Sequence, residues 1–134
     1  MDTINVQEKQ QEAFNKVWNH FVVNKGPLSF IQGAICMYRL DKTAACPIRC
    51  AVGVLMPDEE YDPEFDNGMI QFYDVVKAVK AFEGLDVSFL RSLQIPHDRA
   101  CGAPDPEHKD EYLEQRYRQI AEAYFLTVPN DNAG

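Results

Sequence analysis

Residues 49–56 read RCAVGVLM, and Pro57 stops the run. An apolar stretch this short fits either a buried strand or one to two turns of helix. Its length and its two valines favour a strand, while Cys50 and Ala51 suit either. Ile35–Leu40 (ICMYRL) is also short and rich in strand formers, so the two segments together predict a small sheet. Asp41–Pro47 connects them as a turn or loop.

The other segments have helical periodicity. Over Gln7–Val23, Phe14, Val17, Trp18, Phe21 and Val22 recur at three- and four-residue steps and make one apolar face. Lys25-Gly26-Pro27 ends that helix. Met69–Phe82 is apolar nearly all round and reads as a helix over Gln71–Phe82, with Lys77 and Lys80 marking its outer side and Gly84 its end. Asp86 caps a short helix over Val87–Gln94, which Pro96 closes. Asp105 or Pro106 opens a last helix carrying Tyr112, Leu113, Tyr117, Ile120, Ala121 and Tyr124. The expected fold is therefore α+β, with about four helices and a short two- or three-stranded sheet. The expected organisation is one domain over 1–134, frayed at 1–6 and 129–134.

A net charge of −8, with no basic cluster to offset it, repels phosphate backbones and argues against direct nucleic-acid binding. A basic protein surface is the better-matched partner. No apolar run approaches a membrane span, and the polar N-terminus MDTINVQEKQQEAF lacks the pattern of a signal peptide. A cytoplasmic location with reduced cysteines is expected.

Several residue sets have chemical potential. Cys46, Cys50, His97 and Cys101 supply zinc-type donors, with Cys36 as a spare. Cys-Pro-Ile-Arg-Cys, however, lacks the two-residue spacing and turn residues of zinc loops. Asp62, Glu64 and Asp66 alternate as in a calcium loop, yet Asn67 and Tyr73 stand where such a loop needs Gly and Glu. No metal or other cofactor is assigned, and Cys36 and Cys50 read as small core residues. His97-Asp98 resembles a base beside a carboxylate, but neighbouring side chains diverge, and no established catalytic motif is present. No catalytic residue is assigned. Arg39, Arg49 and His97 are candidates for binding a small anionic ligand, with Arg91, Arg99, Arg116 and Arg118 available if they converge.

The chain also resembles a family of small, largely uncharacterised proteins met in phage and bacterial genomes. The resemblance rests on an N-terminal helix with Phe14, Trp18 and Phe21, then Cys36-Met-Tyr-Arg39. It continues with Cys50-Ala-Val-Gly-Val-Leu-Met-Pro-Asp-Glu-Glu-Tyr61, then Leu93-Gln94 and His97-Asp98, and closes with Ile120-Ala121 and Tyr124-Phe-Leu126. This chain departs from the pattern between Arg39 and Cys50, where the connection is longer and contains Cys46. The resemblance implies a phage-type accessory protein acting on a host defence or regulatory system.

These readings lead to a non-enzymatic interaction protein that binds and inhibits a host protein with a basic surface. Asp58, Glu59, Glu60, Asp62, Glu64 and Asp66 are the expected contact residues, and homo-oligomers remain open. Because these like charges crowd one segment, they are expected to add little to stability. The alternatives are a sponge for a small ligand or nucleotide signal, and a metal-dependent hydrolase.

Overall fold

The computed structural model of the chain describes residues 5–25, 30–31, 35–36, 50–66, 71–101 and 108–129, with backbone alone at 30–31, 35–36 and 101. Five α-helices make up its body: α1 (Val6–Trp18), α2 (Ala51–Leu55), α3 (Phe72–Ala78), α4 (Val87–Cys101) and α5 (Lys109–Ala123). The α+β expectation is thereby corrected, because the described residues are built of helices. Strand pairing among the described residues is confined to two antiparallel pairs, Phe30 with Cys36 and Ile31 with Ile35. Two residues per strand are too few to form a layer against which the helices could pack.

The correction turns on residues 49–56. Ala51–Leu55 is helix rather than strand, because two polar groups meet its free N-terminal N–H groups. Cys50 is the N-cap, its Sγ accepting from Gly53 N–H at 3.4 Å. Gln94, on α4, extends Oε1 to accept from Val52 N–H at 3.0 Å. The second partner lies 42 residues away in sequence, so local propensity could not reveal it.

A second correction concerns Pro96. It does not close a helix, because α4 runs through it to Cys101. Proline lacks the N–H that would bond the Ser92 carbonyl, and its ring crowds that turn. In the same turn the Leu93 carbonyl accepts from the buried Tyr117 hydroxyl of α5 at 2.9 Å. Packing against α5 therefore holds together a helix that the proline would otherwise break. The apolar segment before it divides instead: α3 ends at Ala78, Val79 is extended, and a 3-10 turn covers Lys80–Phe82. Asp86 caps α4 as expected, accepting from Ser88 N–H at 3.2 Å.

The first helix follows its periodicity closely. Asn5 caps α1, and the chain continues from Trp18 into a π turn over Asn19–Val23. Lys25 takes a left-handed φ of 52° just past it; Gly26 and Pro27 lie outside the described residues. Asn5 and Val6 are the N-cap and first residue of α1, while residues 1–4 and 130–134 lie outside the described residues. Phe14, Val17, Trp18 and Phe21 are buried against Leu90 and Leu93 of α4 and Leu113 and Tyr117 of α5, within one core. Gln7 and Gln11 clip the chain beyond α5 onto α1. Gln7 donates to the Phe125 carbonyl at 2.9 Å, and Gln11 both donates to and accepts from the Thr127 backbone at 2.8 Å.

The end of α5 is a Schellman turn. Leu126 N–H bonds the Ala121 carbonyl at 2.7 Å, and Phe125 N–H bonds that of Glu122 at 3.3 Å. The residue in the left-handed position is Phe125, with φ 59° and 88% exposure. Glycine is usual there, since a side chain costs about 1–2 kcal/mol in this conformation. Phe125→Gly forfeits little burial and relieves that cost, offset in part by greater freedom of the unfolded chain. We expect it to raise stability by about 0.5–1 kcal/mol, read from urea denaturation midpoints at unchanged slope.

Candidate functional site

The acidic segment is more ordered than its composition suggests. Pro57 turns the chain out of α2, and 3-10 turns follow over Asp58–Glu60 and Pro63–Asp66. Tyr61 and Phe65 point inward, both buried, their rings edge-on at 6.3 Å. Asp66 accepts from the Tyr61 hydroxyl at 2.7 Å, and Asp62 accepts from Glu64 N–H at 2.9 Å. Glu60 reaches back to α3's end and accepts from the backbone N–H groups of Lys80 and of Ala81, the latter at 3.2 Å. Asp58, Glu59, Asp62 and Glu64 are exposed, whereas Glu60 and Asp66 are half-buried.

The six acids thus have different tasks. Glu60 works as a cap for the Lys80–Phe82 turn, a role that composition alone could not assign. Glu60→Ala leaves two N–H groups without that acceptor and is expected to cost about 1–2 kcal/mol. The neighbouring exposed change Glu59→Ala is expected to stay within about 0.5 kcal/mol of wild type. Thermal or urea unfolding of the two variants side by side checks the contrast. Equal midpoints would remove the capping role.

A second polar group lies under α2. Gln94 also donates through Nε2 to Asp98 Oδ1 at 2.7 Å, so one side chain ties α2's N-terminus to α4's carboxylate. His97 is fully buried, and its Nδ1 lies 3.1 Å from Asp98 Oδ1. The neighbours do meet, contrary to the expected divergence. The other face of His97 packs on Phe21, with ring centroids 5.5 Å apart. Burial pushes the Cys50 thiol far above its usual range; the charges of Asp98 and Asp66 add to this, and bonds from Gly53 and Gln94 oppose it. A protonated, buried thiol is a packing and capping group, whereas a nucleophile needs its pKa lowered. Burial likewise pushes the Tyr117 phenol up.

The remaining candidates are dispersed or lie outside the description. Arg39, Arg49 and Cys46 fall outside the described residues, as does the Cys101 side chain. Among the described residues no three His, Cys, Asp or Glu side chains are grouped to hold a metal. Arg91 stacks on Phe72 at 5.1 Å, and Arg118 lies over Trp18 at 5.2 Å while pairing with Glu114. Among the described arginines, Arg99 and Arg116 both line the groove between α4 and α5. Sequence reading named them without placing them, because their convergence depends on α4 continuing past Pro96. No helix among the described residues is long and apolar enough to cross a membrane. No family model, curated protein or solved structure matches the chain.

Proposed function

We propose that the protein is a non-enzymatic interaction protein, a phage-type accessory factor that binds and inhibits a host protein through its acidic 3-10 turns. The observation that carries this reading is the exposure of Asp58, Glu59, Asp62 and Glu64 on a segment anchored from beneath by Tyr61, Phe65 and Glu60. A pre-ordered acidic surface loses little conformational freedom when it docks, and its field speeds encounter with a basic partner. The buried Cys50 and His97 lend no comparable support to the hydrolase alternative.

The test is a pull-down from host lysate with mass spectrometry, using wild type and Asp58→Asn/Glu59→Gln/Glu64→Gln at low and high salt. Wild type should enrich one basic protein at low salt, and the triple variant should lose it. Equal recovery by both proteins, or no enrichment by either, would overturn the reading.

A further inference from the structure

The groove between α4 and α5 carries chemistry that the acidic turns do not use. It has a volume of about 260 Å³ and is lined by Ser92, Ile95, Pro96 and Arg99 on one wall. The other wall includes Arg116, Ile120 and Tyr124. The helices run antiparallel, so Ser92 faces Tyr124 at one end and Arg99 and Arg116 share the other. Seven residues of helix separate Ser92 from Arg99, which makes the groove about 10 Å long.

The two ends differ sharply. Ser92 donates its proton to the Ser88 carbonyl at 2.9 Å, so the Tyr124 hydroxyl donates to Ser92 Oγ at 3.3 Å. That end is internally satisfied and offers little to a charged group. At the other end, neither guanidinium has a carboxylate partner among the described residues, although the chain has 21 acids to 13 bases. Arg116 donates to Gln119 at 3.1 Å and lies over Tyr112. Arg99 suits the negative end of α4's dipole, which accounts for a cation there but not for a second one across the groove. Between the ends lie Ile95, which is 41% exposed, Pro96 and Ile120.

We propose that this groove binds a small amphipathic monoanion, its carboxylate held by Arg99 and Arg116 and its apolar tail lying along Ile95, Pro96 and Ile120. Paired guanidiniums recognise a carboxylate bidentately, and the apolar floor gains by leaving water. The volume lies just below that of drug-sized sites, roughly 300–1,000 Å³, which suits a short-chain ligand.

Octanoate and octanol are the probes, titrated into the full chain and followed by amide chemical shifts. Octanoate should shift Ser92, Ile95, Arg99, Arg116 and Tyr124 saturably and bind at least tenfold more tightly than octanol. Arg99→Gln/Arg116→Gln should remove that preference, and Ile95→Ser should weaken both probes, with circular dichroism showing all variants folded. Equal binding of the two probes, or shifts elsewhere, would overturn the proposal. If octanoate moves nothing while the arginine variant loses a protein partner, the groove belongs to a protein segment and the proposal fails. Self-association abolished by Ile95→Ser, without octanoate binding, would assign the groove to a second copy and would also overturn it.

Discussion

Trp18→Ala is expected to destabilise the protein by about 3–5 kcal/mol, while Trp18→Phe costs about 1 kcal/mol or less. The indole is 3% exposed, with its ring 5.9 Å from that of Phe14 and the Arg118 guanidinium 5.2 Å above it. Alanine removes the whole ring and opens a cavity where α1 meets α5. Phenylalanine keeps most of the buried area. The indole N–H is buried with no hydrogen-bond partner among the described residues, so phenylalanine also deletes an unsatisfied donor. Loss of a bonded donor would make Trp18→Phe costly, whereas loss of an orphaned one offsets the smaller ring. Urea denaturation of both variants measures the difference. Similar large losses from both would mean that the indole nitrogen has a partner.

Stability should fall steeply at alkaline pH. Cys50 and Tyr117 both have pKa values raised by burial in the folded state. Above an unfolded thiol pKa of roughly 8.5–9, the unfolded chain loses the Cys50 proton while the folded chain keeps it. The unfolded state then binds fewer protons, so the slope of unfolding free energy against pH is negative. The contribution of each group is fully present below its unfolded pKa and is lost as pH rises toward its folded value. One group gives about 1.4 kcal/mol per pH unit, and Tyr117 adds a similar slope above about pH 10. Cys50→Ser keeps a capping oxygen and does not titrate, so it should flatten the profile between about pH 9 and 10. Denaturant midpoints from pH 7 to 10.5 give the profile. A flat wild-type curve would contradict the buried, protonated assignment.

The sequence revealed most where a signal was local and repeated. The three- and four-residue spacing of Phe14, Val17, Trp18 and Phe21 located α1 and its buried face, and Asp86 marked the start of α4. It failed where distant atoms decide the outcome. Ala51–Leu55 becomes a helix as Gln94 reaches Val52, and no periodicity over the eight residues of RCAVGVLM contains that information. Pro96 would ordinarily stop a helix, but α4 passes through it as it packs on α5. The candidate surface follows the same pattern. Its charge was legible from residues 58–66, while the division between Glu60 as a cap and Glu59 as an exposed charge depends on where the Lys80 turn lies.

The most direct test of the proposed function is the association rate with a captured basic partner, measured against ionic strength for wild type and Asp58→Asn/Glu59→Gln/Glu64→Gln. Wild type should associate fastest at low salt and slow steeply as salt screens the field. The triple variant should start slower and show a shallower slope, with a melting temperature close to that of wild type. The same rates and the same salt slope for both proteins would contradict the account and remove the acidic turns from the interface.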